Sequence, residues 1–304
     1  MTADWGANLP IGQVLGDVCE QLLQRDELVL QAPPGAGKTT VVPLALLNQP
    51  WLRGQKILLL EPRRVAARAA AERMADNLGE KVGETVGYRM RLQTRVSAQT
   101  RIEVITEGIL TRMLQSDPAL EGVAAVIFDE FHERSLDADL GLALVLQGRA
   151  LFRDDDNPLK VLVMSATLDG ERVAELLNNA PIVNSEGRSY PVDVHYGQQL
   201  PINQPVAPAV ASTVVRALKE TSGSMLVFLP GQREINQVAK QLSEKLAGQA
   251  IQIRPLYGSL SLEQQRRAIA PCEREHRKIV LSTNVDNAVM RNGEKVRRRR
   301  TIKK

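Results

Sequence analysis

The sequence predicts an α/β protein: a doubly wound parallel sheet built around a phosphate-binding loop, followed by a second, shorter βα series. Three observations predict it. Short apolar runs alternate with longer segments of helical period, the pattern of successive βα units. The runs are apolar almost without interruption, as strands buried on both faces are. A glycine-bearing loop stands between the first run and the first helical segment, where a strand–loop–helix phosphate cradle belongs.

Taken in order, the strands of the first series are "ELVLQA", "KILLLE", "RIEVIT", "VAAVIFDE" and "KVLVMSA". The helices between them are "KTTVVPLALLN", "RRVAARAAAERMADNL", "EGILTRMLQ" and "LDADLGLALVLQGRAL". This series closes near Tyr196, and the polar, proline-bearing "GQQLPINQPVAPA" reads as a linker. The second series has strands "SMLVFLP", "IQIRPLY" and "KIVLST", with helices near "QREINQVAKQLSEKLAG" and "SLEQQRRAIA". After its third strand the apolar periodicity stops. The expected organisation is a first domain over 1–197, a partial second domain over 198–288, and a basic tail without regular structure over 289–304.

The loop "APPGAGKTT" supplies Ala32, Pro33, Pro34, Gly35, Ala36, Gly37, Lys38, Thr39 and Thr40 as nucleotide-binding candidates. The glycines let backbone N–H groups converge on phosphate oxygens. Lys38 reaches the outer phosphates, Thr39 offers a hydroxyl to Mg²⁺, and the positive end of the following helix favours the same anion. The full pattern G-x-x-x-x-G-K-[ST] has Ala32 where its first glycine belongs, a position at the strand end where a small residue suffices.

A second candidate cluster ends the strand "VAAVIF". Asp129 and Glu130 sit where open α/β sheets bind ligands, at the carboxyl end of a strand. Asp129 suits the Mg²⁺ shell, and Glu130 suits both that shell and the orientation of an attacking water. His132 reads as a relay to neighbouring loops, with the hydroxyls of the "SAT" stretch, Ser165 to Thr167 at the next strand end, as its candidate partners. The catalytic set is therefore Lys38, Asp129, Glu130 and His132, and the metal set Thr39, Asp129 and Glu130.

Charge argues against a generally basic protein. The net +4 of the 304 residues comes from the end of the chain, where residues 289–304 hold eight Lys or Arg against one Glu. The remainder carries −3, so a nucleic-acid site must rest on local placement. Cys19 and Cys272 are too far apart to imply a disulfide framework or a zinc ribbon, and the three histidines have no metal-ligand spacing. No apolar stretch nears the roughly 20 residues that cross a bilayer, and the N-terminus lacks a secretory pattern. A cytoplasmic protein with no membrane association is expected.

Together these stretches resemble DEAH-box helicases of superfamily 2, and in detail their bacterial HrpB-type subgroup. The resemblance rests on "APPGAGKTT", "LEPRRVAAR", "VGYRMR", "TEGILTRML", "DEFHERS", "MSATLD", "SEGRSYPV", "LVFLPG" and "LYGSLSLEQQR", and runs from about Pro10 to Asn284. Phe131 within "DEFH" matches that subgroup. The resemblance implies two RecA-like domains, ATP and Mg²⁺ as cofactors, and single-stranded nucleic acid as partner, RNA favoured over DNA. It also implies that Ser165, Ala166 and Thr167 couple hydrolysis to movement. Pro62, Arg63, Arg64, Thr106, Glu107, Gly108 and Thr283 then line the strand path. Paired arginines after a strand end can also be read directly as grips on successive phosphates, with Arg89 and Arg91 as possible additions. Aromatic residues are 3% of the chain, so backbone contact is expected over base stacking.

The resemblance fades after Thr283 and Asn284. Nothing like the family's "QRxGRxGR" run follows, and "RRRR" at 297–300 has other spacing. The expectation is a chain cut short of a longer helicase, either retaining helicase activity or binding ATP and RNA with poor hydrolysis.

Overall fold

A computed structural model describes residues 6, 8–154, 156–166, 170–187, 192–197, 199–201, 204–272 and 276–283. Thr167 and the basic tail lie outside the described residues. Contacts divide the chain into two compact units, Met1–Ser189 and Tyr190–Lys304.

The first unit opens with a 3-10 turn (Pro10–Val14) and α1 (Leu15–Gln24), then β1 (Glu27–Gln31) and α2 (Lys38–Leu46). Next come β2 (Lys56–Leu60), α3 (Arg64–Leu78), β3 (Val86–Met90), β4 (Gln93–Arg95), β5 (Ile102–Ile105) and α4 (Glu107–Ser116). The unit closes with β6 (Val123–Phe128), α5 (Leu136–Phe152), β7 (Lys160–Ser165), α6 (Gly170–Leu176) and β8 (Ile182–Asn184). The sheet runs β4-β3-β5-β2-β6-β7-β1-β8, and every pairing is parallel except β3 with β4.

Strand alternation divides the core between the two faces. Ile57, Leu59, Ala125 and Ile127 face one side, where Val18, Val41, Ala67 and Met74 of α1, α2 and α3 cover them. Leu58, Leu60, Val126 and Phe128 face the other, under Leu110, Leu142, Val145 and Val173 of α4, α5 and α6. The doubly wound sheet thus forms from the five strands read in the sequence. The β3–β4 hairpin and β8 extend it at its two edges.

The second unit contains α7 (Val206–Glu220), β9 (Met225–Phe228), α8 (Gln232–Lys245), β10 (Ile251–Leu256), α9 (Leu262–Ile269) and β11 (Arg277–Ser282). Its described strands form a parallel sheet in the order β10-β11-β9. Helices α7 and α8 pack Ala211, Val214, Ile235, Val238 and Leu242 against Ile279 and Leu281, whereas Ala268 of α9 packs against Val280 and Leu256 on the opposite face. The expected linker needs correction, because its last residues are the first turn of α7. Pro205 is the N-cap and Pro208 lies in the first turn, where backbone N–H groups need no partner within the helix, so prolines here start a helix instead of breaking one.

Candidate nucleotide site and strand path

Strand order brings the phosphate loop and the acidic strand end together. β1 pairs with β7 and β7 with β6, so the segments following all three strands open at the same edge of the sheet. The Ala32 N–H donates to the Ser165 carbonyl at 2.9 Å, which keeps this residue in the ladder and explains why alanine serves where the motif has glycine. Beyond it the backbone turns through Gly35 at φ 84° and Gly37 at φ 95°. These are left-handed values that other residues adopt at a cost, and Gly37 forms the N-cap of α2.

Lys38, the first residue of α2, is 2% exposed. Its Nζ donates to Glu130 Oε1 at 2.9 Å and lies 4.0 Å from Asp129 Oδ1. Thr39 Oγ1 donates to Asp129 Oδ2. Asp129 is further tied by the Glu130 N–H, which donates to Oδ1 at 2.8 Å. Burial pushes the Asp129 carboxyl up and Glu130 adds to the shift, while Lys38 and Thr39 pull against it. A buried ammonium, two carboxylates and a hydroxyl are thus assembled at a helix N-terminus. Thr39, Asp129 and Glu130 bring together oxygens of the kind that suit a hydrated Mg²⁺.

Glu130 has φ 51° and ψ 31°, and Arg134 at the end of the same turn has φ 53°. A non-glycine residue held there costs on the order of 1 kcal/mol and persists only where its surroundings enforce it. Phe131 is the buried side chain of this turn. It is 5% exposed and meets Phe128 edge to face at 6.2 Å, with the Arg134 guanidinium 6.0 Å from its ring. Phe131→Ala is expected to lower the unfolding free energy by about 3 kcal/mol through the cavity left behind, as measured by urea denaturation.

His132 joins the two strand ends. Its Nδ1 accepts from the Ala166 N–H at 3.2 Å, which leaves the proton on Nε2, 3.3 Å from Glu130 Oε2. Ser165 is buried beside the phosphate loop, contributing its carbonyl to Ala32. Of the three residues expected to couple this site to its surroundings, Ser165 and Ala166 are therefore adjacent to it.

The expected strand-path residues occupy neighbouring strand ends. Pro62, Arg63 and Arg64 follow β2 and begin α3, and Thr106, Glu107 and Gly108 follow β5, which pairs with β2, and begin α4. The two helix N-termini favour anions together. Arg63 pairs with Glu133 at 2.7 Å, and Arg64 donates to the Arg91 carbonyl at 3.1 Å. Arg89 is engaged with the buried Glu103. Ser135 caps α5 and donates its hydroxyl to Glu107, whose carboxyl is raised by burial. Gly108 has open space where a side chain would stand. Thr283 follows β11 in the second unit.

One residue was missed. Glu61 follows β2, is 2% exposed, and has an oxygen without a hydrogen-bond partner. Burial first, then the charges of Asp129 and Glu130, hold its carboxyl well above the usual range, against a lowering contribution from the Arg63 N–H. Folding therefore favours the neutral form. The stability this contributes is fully present below the unfolded-state value and is lost as pH rises through the raised one. Thermal melts of the nucleotide-free chain across pH should show this downward slope, and Glu61→Gln should remove part of it. The signal available in sequence was a lone carboxylate ending an apolar strand one strand away from "DE".

A family model for the DEAD/DEAH box helicase matches residues 16–176, and one for the helicase conserved C-terminal domain matches 209–287. The chain is 52% identical over 279 residues to the ATP-dependent RNA helicase HrpB of Escherichia coli (strain K12), covering 92% of this chain and 34% of that protein. It is 36% identical over 287 residues to the ATP-dependent RNA helicase DHX33 of Homo sapiens, covering 91% and 40%. A crystal structure of the Escherichia coli DEAH/RHA helicase HrpB superposes with a TM-score of 0.85 at 50% identity, over 93% of this chain and 35% of that one. The chain spans roughly a third of the length of HrpB.

Proposed function

Because the chain belongs to the DEAD/DEAH box helicase family, we propose that it binds ATP with Mg²⁺ at the Lys38–Asp129–Glu130 cluster and couples hydrolysis to movement on single-stranded RNA. The observation that carries this reading is the buried Lys38–Glu130 pair. A lysine at the start of a helix that follows a glycine loop is placed for phosphate, and the carboxylate now neutralising it is the residue suited to orient water. Arrival of a nucleotide gives Lys38 a new anionic partner and frees Glu130 for the water. Mg²⁺, when bound, stabilises the negative charge that develops on the phosphates. Thr39 and Asp129 hold it, while His132 keeps Glu130 in register with the strand end at Ala166.

Similarity to the ATP-dependent RNA helicases HrpB and DHX33 supports RNA as the strand. In this reading the arginines and helix N-termini at Pro62–Arg64 and Thr106–Gly108 grip its backbone, which requires Arg63 and Arg64 to exchange Glu133 and a carbonyl for phosphates. Free thiols at Cys19 and Cys272 suit a reducing cytoplasm. A second reading is binding of ATP and RNA without efficient turnover.

ATP turnover measured with and without single-stranded RNA, beside binding of a fluorescent nucleotide, separates the two. RNA-stimulated turnover supports the first reading, and nucleotide binding with turnover unmoved by RNA supports the second. Affinity for single-stranded RNA should fall steeply with salt. Arg63→Ala and Arg64→Ala should each flatten the log–log slope by about 0.7, the share of one phosphate contact on a single strand. Slopes unchanged in both variants would remove these arginines from the path.

A further inference from the structure

Glu61 has no part in the mechanism above, yet its position brings it to the same cluster. In the β2–β6 pairing Leu60 stands opposite Phe128, and the Asp129 N–H donates to the Leu60 carbonyl at 3.0 Å. Glu61 and Asp129 are therefore the next residues of two adjacent parallel strands. Leu60 and Phe128 both face the α4, α5 and α6 side of the sheet. By alternation, the residues after them turn to the opposite side, where Val41 and Val42 of α2 are packed and where Lys38 and Thr39 begin that helix.

The Glu61 carboxyl thus shares its side of the sheet with the proposed cation ligands and is 98% removed from solvent. Its Oε1 is buried and accepts no hydrogen bond. A buried carboxylate oxygen without a donor is costly, and structures retain one where a ligand supplies the donor. Hydrated cations supply such donors, since water bound to a divalent ion directs both hydrogens outward toward surrounding acceptors.

We propose that Glu61 is a positioning residue of the cation site, supplying an acceptor to the hydrated divalent ion that Thr39 and Asp129 hold. The inference rests on the nucleotide-site reading and extends it by one residue, on a strand that does not pair with β1. Glu61 orders the ion's hydration without entering its ligand set. Its neighbour Arg63 belongs to the proposed strand path, so the stretch Glu61–Arg63 places the cation site and the first backbone grip two residues apart.

The test is Mn²⁺ binding to the full chain at saturating ADP, read by electron paramagnetic resonance, in the unchanged protein, Glu61→Gln and Glu61→Leu. Loss of an outer-shell partner typically weakens metal binding by about 10- to 100-fold, and a shift of about tenfold is expected for Gln and a larger one for Leu. The melting temperature of the metal-free Gln variant at neutral pH should equal or exceed that of the unchanged chain, since the amide needs no proton uptake to be buried. A purely structural Glu61 gives the opposite pattern, lower melting temperatures with Mn²⁺ affinity unmoved, and that result overturns the proposal. Failure of the unchanged chain to take up Mn²⁺ with ADP would sink the nucleotide-site reading together with it. Uptake by the unchanged chain and equal uptake by both variants would sink this proposal alone.

Discussion

Lys38→Ala is expected to weaken nucleotide binding by about 30-fold to several thousandfold, the cost of about 2 to 5 kcal/mol for truncating one member of a buried, hydrogen-bonded charge pair. The effect is large because Lys38 is sealed at 2% exposure and no solvent can replace its ammonium. Asp129 and Glu130 would then face incoming phosphates with no intervening positive charge. Titration with a fluorescent ATP analogue measures the loss directly. Lys38→Arg should not restore binding, because a planar guanidinium does not fit a space shaped for a compact ammonium against Glu130. Retained affinity in Lys38→Ala would remove the phosphate loop from the nucleotide site.

Glu130→Gln is expected to separate binding from turnover. Correct placement of a general base contributes about 10² to 10⁴ in rate, and a loss of that size relative to the unchanged chain is anticipated in single-turnover ATP hydrolysis. Nucleotide affinity should be kept or improved, because Lys38 loses its charged competitor while the loop, Thr39 and Asp129 remain. The His132 contact survives in part, since its Nε2–H can still donate to an amide oxygen. A parallel fall in affinity and rate would instead make Glu130 a binding residue.

The parts of the site that are contiguous in sequence were legible there. A strand, a glycine loop and "GKTT" place Lys38 and Thr39 by local geometry alone, and "DEFH" ends an apolar strand whose parallel neighbours are predicted by the alternating pattern. What the pattern leaves open is which strands are neighbours. β6 lies two strands from β1, with β7 between them, and that order is what carries Glu130 to Lys38 and the Ala166 N–H to His132. Glu61 escaped notice for the same reason, as its relation to Asp129 exists only through β2–β6 pairing.

The fold was misread where tertiary packing outweighs local signals. The β3–β4 hairpin turns at Arg91 and Leu92, without the Asn-Gly or Gly-rich pair that marks a tight turn, and Leu92 takes φ 66° to make it. The prolines of "QPVAPA" spoke for a linker, whereas Ala207, Ala211 and Val214 at helical spacing bury a face against β11 and α8. Strand β8 is three residues long and gains its place by pairing with β1. Its sequence alone holds too little periodicity to be separated from a loop.

The central claim is that Lys38 exchanges Glu130 for a nucleotide phosphate. A crystal structure of the chain with Mg²⁺ and a non-hydrolysable ATP analogue tests it most directly. The account predicts Lys38 Nζ at about 2.8 Å from a phosphate oxygen, a charge-assisted contact, with Glu130 released from it. An analogue bound with the Lys38–Glu130 pair still closed at 2.9 Å, or bound away from residues 32–40, would contradict it.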